Sequence, residues 1–361
     1  MSLDKESVQK ALGQVRYPGY SRDIVSFGLV KGIEVTLDGK VSVGLAVTSA
    51  DPEIPKKLYA DIETVLKGLG ARQPDSANTV TAPTGAPAAA APSAPAKLPA
   101  NAGVGQVKHI IAVASGKGGV GKSTFAVNLA CALARDLAER GRPGRVGLMD
   151  CDIYGPSVPL MIGVNARPML EGDTLIPLEN FGVKVMSMGL LIDADAPVVW
   201  RGPMIMKTIS QFATNVRWGE LDVLLIDLPP GTGDAQLSIA QSMALSGAII
   251  VTTPQTAAVS VALRGAAMFA KVGVPILGVA ENMSFLEGAD GSRQHLFGQG
   301  GGLKVATALD SILLGEVPLD PAIRQGGDHG IPVVISHPDG NPARVFRSIG
   351  LTVLNGLQKA S

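Results

Sequence analysis

The chain has 361 residues, with 31 Lys or Arg balanced by 31 Asp or Glu, so charge gives no case for binding nucleic acid or an anionic membrane. Its length suits two domains rather than one, and 46% apolar residues with 4% aromatic and 44 glycines suit an α/β protein. Cys131 and Cys151 are the two cysteines and make no disulfide framework. The start carries no basic-then-apolar signal pattern, and no apolar run reaches the roughly 18 residues of a spanning helix. The expectation is a soluble, cytoplasmic protein with no membrane partner.

Residues 1–72 read as a small α+β domain. Val8 to Val15 has the spacing of a short helix. Ile33–Leu37, Asp38-Gly39 and Val41–Val47 read as a β-hairpin, with Asp-Gly as its turn. Lys56 to Leu69 carries a helical stripe of Leu58, Ile62, Val65 and Leu69. The words Arg22-Asp23-Ile24-Val25-Ser26-Phe27-Gly28-Leu29-Val30 resemble the small MIP18-type domain of iron–sulfur assembly factors. Tyr17-Pro18-Gly19 stands where that family has an acidic motif, and Asp51 stands where it has a cysteine, so the resemblance implies no thiol chemistry here.

Residues 73–105 change character. No charged residue occurs between Ser76 and Ala96, and alanine and proline dominate, as in an extended, semi-flexible linker. From residue 106 to 361 strands alternate with helices: His109–Ala114, Arg145–Met149, Val183–Met188, Val223–Ile226, Ala248–Thr252, Ile276–Ala280 and Ile312–Glu316 read as strands. That alternation predicts a doubly wound, mostly parallel sheet, whose ligands gather at the carboxyl ends of the strands.

Gly116-Lys117-Gly118-Gly119-Val120-Gly121-Lys122-Ser123 matches the phosphate-binding pattern G-x-x-x-x-G-K-[ST], between a strand and a helix. Glycines let successive N–H groups converge on phosphate oxygens at a helix N-terminus. Lys122 would reach the β- and γ-phosphates of ATP, Ser123 would ligand Mg²⁺, and Thr124 would reach the α-phosphate. The bland alternative is a glycine-rich turn with no ligand. Asp150 and Asp152 follow the second strand, where carboxylates beside a triphosphate orient water or bind Mg²⁺; Asp150 reads equally as a group that holds the loop. Asp227 ends a buried strand and takes the Mg²⁺-holding role, and Pro229-Pro230-Gly231-Thr232-Gly233-Asp234 gives a stiff entry and a mobile exit.

Lys117, directly after the first glycine, resembles the signature lysine of the deviant Walker A ATPases, which include division-site and plasmid-partition ATPases. The resemblance implies a homodimer in which Lys117 reaches the partner's nucleotide, Asp152 positions the attacking water, and Asn282 and Pro318 form the adenine pocket. A loop-capping role is the alternative for Asn282. Asp152-Ile153-Tyr154-Gly155-Pro156-Ser157, Trp200-Arg201-Gly202-Pro203, Leu228–Asp234, Glu281-Asn282-Met283-Ser284 and Phe297–Gly302 together resemble the Mrp/ApbC/Nbp35 family. Its members are homodimeric P-loop ATPases that carry a [4Fe–4S] cluster to apoproteins.

The family holds that cluster with a Cys-x-x-Cys between Asn-Met-Ser and the Phe-Gly-x-Gly-Gly-Gly segment. Here, aligning on Gly291 puts Glu287 and Asp290 at those places. Fe–S clusters are normally held by thiolates. Glu287, Asp290 and nearby His295 read either as a site for a hard or borderline metal or as a solvated acidic turn. Cys151 reads either as a small buried filler or as a thiol facing its dimer mate. Two functions remain: an ATPase in iron–sulfur cluster assembly or transfer, with apo iron–sulfur proteins or assembly factors as partners, or a nucleotide-dependent dimerisation switch of the MinD/ParA kind that recruits a protein. The sequence from Val345 to Leu357 reads as a packing helix, with too few basic residues for membrane targeting.

Overall fold

The computed structural model describes residues 4–15, 23–25, 29–36, 40–45, 53–69, 71, 104–152, 155–191, 202–231 and 233–360. The Asp38-Gly39 turn, Tyr17-Pro18-Gly19, Arg22, Ser26–Gly28, Asp51, residues 73–103, Ile153-Tyr154, Trp200-Arg201 and Thr232 lie outside the described residues. The chain divides into two compact units.

In the smaller unit, helix α1 (Lys5–Leu12) begins at Asp4, whose carboxylate accepts from the Ser7 amide at 2.8 Å while Ser7 Oγ accepts from the Asp4 amide at 3.2 Å. This reciprocal cap sets the start three residues before the apolar pattern does. Strands β1 (Val30–Val35) and β2 (Val41–Leu45) pair antiparallel, as the hairpin pattern predicts. Helix α2 (Glu53–Gly68) buries Leu58, Ile62 and Leu66. The predicted stripe is therefore rotated by one residue: Val65 and Leu69 flank the core that Leu66 enters. Val8, Leu12, Ile24, Val41 and Val43 complete it.

The larger unit opens with β3 (Val107–Ala114), α3 (Lys122–Glu139), β4 (Val146–Asp150) and α4 (Val158–Ile162). A two-stranded ribbon, β5 (Leu170–Glu171) and β6 (Thr174–Leu175), precedes β7 (Leu178–Asn180) and β8 (Val183–Ser187). Then come α5 (Gly202–Thr214), β9 (Leu221–Asp227), α6 (Asp234–Ser242), β10 (Gly247–Thr252), α7 (Thr256–Lys271) and β11 (Ile276–Glu281). A small hairpin, β12 (Leu286–Glu287) and β13 (Arg293–Gln294), leads to α8 (Gly301–Ala308) and β14 (Leu313–Glu316). Helices α9 (Pro321–His329), α10 (Val333–Ser336) and α11 (Asn341–Ala360) finish the chain.

The main sheet runs β14-β11-β10-β3-β9-β4-β8-β7. Its first seven strands are mutually parallel and are the seven legible in the sequence; β7 is antiparallel to β8 at the edge. Strand side chains alternate between two helical layers. Ile111, Val113, Val223 and Leu225 face the core beneath α3 and α11, and Ile110, Ala112, Leu224 and Ile226 face the opposite core with Ile209 of α5, Ile239 of α6 and Phe269 of α7. Helix α11 lies on α3, with the Phe125 and Phe346 rings 5.8 Å apart. Arg347 donates to Asp136 at 2.9 and 3.1 Å and to Glu139 at 2.8 Å. The apolar face of α11 is thereby used in packing. Among the described residues no helix is long and apolar enough to cross a membrane.

The two units have separate cores. A chain beginning at residue 104 is accordingly expected to melt within about 4 °C of the larger unit in the full chain, the shift that ~1 kcal/mol produces at this size. A larger fall in a calorimetric scan would show that the small unit supports the large one.

Candidate functional site

The loops after β3, β4 and β9 meet at the carboxyl edge of the sheet, in the order that strand register dictates. Asp227 is directly paired with Asp150 across β9 and β4, and Asp150 with Ser187 across β4 and β8. Three polar side chains thus share one row at the strand ends. The loops are stitched by main-chain bonds: Cys151 N to Asp227 O at 2.9 Å, Leu228 N to Val113 O at 3.1 Å, and Gly231 N to Ser115 O at 3.2 Å.

The phosphate loop needs its glycines for two different reasons. Gly119 and Gly121 have φ of 80° and 79°, a region that L side chains rarely enter. Gly116 lies against α7, where a Cβ would overlap the Val261 carbonyl carbon and oxygen. Beyond Gly121, α3 starts with no side-chain cap and no acidic residue in its first turn, so its N–H groups are left for an anion.

Asp227 is fully buried. One of its oxygens takes Lys122 Nζ at 2.6 Å and the other accepts from Ser123 Oγ at 2.5 Å. Burial raises its carboxyl above the ordinary range, opposed by Lys122 and Ser123. Asp150, 1% exposed, accepts from Ser187 Oγ at 2.9 Å and from the Asp152 amide at 3.0 Å. Burial first, and then the adjacent Asp227, push the Asp150 carboxyl up to about 7. Asp150 therefore serves the loop geometry directly, by holding the amide of Asp152.

A cavity of about 190 Å³ opens above this row, lined by Ser115, by Lys117 to Thr124, by Asp152 and by Pro230. Ser157 and Met161 line it too, and Met161 Sδ is 3.7 Å from Thr124 Oγ1. The structure thus gathers Lys117, Gly118, Gly119, Val120, Gly121, Lys122, Ser123, Thr124 and Asp152 around one space, with Asp227 and Asp150 beneath them. Asn282 is placed differently. It is 6% exposed, its amide nitrogen donates to the Val120 carbonyl at 2.8 Å, and a Cβ on Gly121 would collide with that nitrogen. It fastens β11 to the phosphate loop, and neither it nor buried Pro318 lines the cavity.

Sequence reasoning passes over Ser187, which braces Asp150, and Gln236, 2% exposed, whose amide nitrogen donates to the Pro229 carbonyl at the start of the loop after β9. It also passes over Gln255 at the start of α7, whose Oε1 accepts from Lys117 Nζ at 3.4 Å. A serine at a strand end and glutamines near helix starts carry no pattern by themselves; only the strand register and the loop packing bring them to the site.

The segment in which the resemblance places a Cys-x-x-Cys folds as the β12–β13 hairpin. Glu287 is exposed and accepts from Asn341 Nδ2 at 2.6 Å. Asp290 closes the turn on the Ser292 amide at 3.0 Å and its hydroxyl at 2.6 Å, bonds that hold its carboxyl below the usual range. His295 Nδ1 lies 3.2 Å from the Ser284 carbonyl oxygen, and the Arg293 guanidinium sits 4.0 Å above the Phe285 ring. Each side chain is engaged with a different partner, and among the described residues no three His, Cys, Asp or Glu gather to hold a metal ion. Both cysteines are buried. Burial pushes the Cys131 thiol up to about 12, and burial and Asp150 push the Cys151 thiol well above its ordinary value.

A parallel sheet carrying this loop, with a lysine and a serine on a strand-end aspartate, defines a P-loop NTPase. The chain belongs to the family described as NUBPL iron-transfer P-loop NTPase, whose pattern matches residues 106–354. Residues 5–77 match the family described as iron-sulfur cluster assembly protein. A Synechocystis protein named "Iron-sulfur cluster carrier protein" is 41% identical over 367 residues, 99% of each chain. An Arabidopsis thaliana protein named "Iron-sulfur protein required for NADH dehydrogenase, mitochondrial" is 50% identical over 255 residues, 70% of this chain and 80% of that one. Among solved structures, the Archaeoglobus fulgidus nucleotide-binding protein in complex with ADP is 34% identical, with a TM-score of 0.57 over 67% of this chain and 93% of that one.

The raised Asp150 carboxyl makes folding take up a proton between the unfolded value of roughly 4 and about 7. Stability therefore falls as pH rises through that window. Asp150→Asn removes this cost, and its melting temperature relative to wild type is expected to climb from pH 5 to pH 8. A difference that stays constant across that range in thermal melts would show that Asp150 titrates as an ordinary carboxylate.

Proposed function

We propose that this protein binds and hydrolyses ATP as a homodimer and uses the cycle in iron–sulfur cluster transfer to apoproteins. The observation that carries the ATPase reading is the meeting of Lys117, Lys122, Ser123 and Asp152 around one cavity with Asp227 directly beneath. The ADP bound to the archaeal relative supports an adenine nucleotide.

In this reading the phosphate loop amides receive the β-phosphate, and Lys122 exchanges the Asp227 oxygen for phosphate oxygens. Ser123 and Asp227 present hard oxygen donors of the kind that would hold Mg²⁺, and Asp150, beside Asp227 in the strand row, would support that site from behind. Mg²⁺ when bound neutralises charge on the phosphate oxygens. Asp152, at the cavity wall, orients the attacking water, and Lys117 stabilises charge on the nucleotide of the facing subunit. Asn282 keeps the loop in register from behind; a base contact would have to come from the rest of its amide.

The names of the relatives support an iron–sulfur role, and the β12–β13 hairpin limits its form. Cluster iron is normally held by thiolates, whereas this hairpin offers Glu287 and Asp290, both engaged in polar contacts. The chain therefore acts on a cluster held by the thiolates of a carrier protein and supplies the nucleotide-driven step of its transfer to an apo-acceptor.

Lys117→Ala is expected to abolish ATP turnover while a fluorescent ATP analogue still binds. Asp152→Asn is expected to slow turnover by about a hundredfold, the scale of a lost proton-handling or water-orienting group. Wild-type turnover in both variants would contradict the assignment.

A further inference from the structure

We infer that Gln255 is a positioning residue for Lys117, holding that lysine within its own subunit until a phosphate of the facing subunit is offered. The inference rests on the proposed role of Lys117 across the dimer.

The backbone around Lys117 has little freedom. Ser115 Oγ donates to the Lys117 carbonyl at 3.0 Å, and Gly116 is pressed so closely onto α7 that a Cβ would overlap the Val261 carbonyl. Whatever Lys117 does, its side chain does alone, swinging from a fixed stem. In this arrangement its Nζ donates to Gln255 Oε1 at 3.4 Å. The same oxygen accepts from Thr253 Oγ1 at 3.4 Å, which turns the amide oxygen toward the phosphate loop. Gln255 stands at the N-cap of α7, yet its side chain makes no cap bond to that helix. It serves the lysine instead.

The chemistry of the acceptor fixes what this contact can do. A neutral amide oxygen at 3.4 Å is a long, weak partner for an ammonium. A phosphate oxyanion gives a shorter, charge-assisted bond of about twice the strength, so the lysine leaves Gln255 when such a group comes within reach. Among the described residues no carboxylate pairs with Lys117, which would have held it too firmly. Gln255 also lies outside the nucleotide cavity lining. It therefore sets where Lys117 waits without touching the nucleotide of its own subunit. The cost of release adds to the cost of dimerisation, so hydrolysis starts only when a loaded partner has docked.

The test is ATP turnover of the full-length protein as a function of protein concentration, with affinity for a fluorescent ATP analogue measured alongside. Gln255→Glu replaces the weak contact with an ion pair and is expected to lower kcat about tenfold, the factor that ~1.4 kcal/mol represents, with analogue affinity unchanged. Gln255→Asn, too short to reach Lys117, is expected to match or exceed wild type, most visibly at low protein concentration. A merely structural role would make the two variants fall together. Gln255→Glu with wild-type kcat, or Gln255→Asn falling alongside it, overturns the inference. Lys117→Ala in the same assay separates the two levels. If it turns over ATP like wild type, the dimer role itself fails; if it is inactive while Gln255→Glu is normal, only the positioning role fails.

Discussion

The carboxylate of Asp227 takes a lysine with one oxygen and a serine with the other, from a position with no exposure to water. A buried charge is tolerated only when paired and hydrogen-bonded, so this contact constrains everything near it. It fixes the first turn of α3 against the end of β9, and hence the phosphate loop against the sheet. It also places a second buried carboxylate, Asp150, in the adjacent register position, where repulsion from Asp227 is offset by Ser187 and the Asp152 amide. Removing either partner of such a pair typically costs about 3–5 kcal/mol. The nucleotide end of the molecule is thus built around charge that a phosphate and a hard cation can redistribute.

That redistribution has short routes outward. Asn282 ties the back of the phosphate loop to β11, and Glu281 beside it accepts from Ser284 Oγ and the Gly302 amide, each at 2.5 Å. Ser284 N bonds to Val317 O at 2.9 Å and Leu319 N to Phe285 O at 2.7 Å, and Arg293 lies 3.7 Å from Glu316. The β12–β13 hairpin is therefore braced by the same segments that back the phosphate loop. A shift at Lys122 or Gly121 has packed, hydrogen-bonded neighbours all the way to Arg293.

Much of this was legible in the sequence. The seven parallel strands follow from apolar runs, and the phosphate loop follows from glycine spacing, because both patterns are local. The strand-end aspartates were legible for the same reason. The capped start of α1, the one-residue rotation of the α2 stripe and the antiparallel edge strand β7 were not, since each depends on a partner elsewhere or on a single side-chain bond. Ser187 and Gln255 are invisible in one dimension. Their roles come from which strands are neighbours and from how closely Gly116 approaches α7. The bond from the Asn282 amide nitrogen to the Val120 carbonyl is likewise a contact that no motif specifies.

The chain's relation to the cluster is the point on which its function turns. The decisive measurement is anaerobic incubation with iron and sulfide, followed by visible absorption and iron counting, on wild type and on Cys151→Ser. Thiols as buried as these, and a hairpin without cysteine, predict that neither protein retains a cluster after desalting. A stable cluster in wild type that disappears in Cys151→Ser would contradict the account and make this chain a carrier with a relocated ligand.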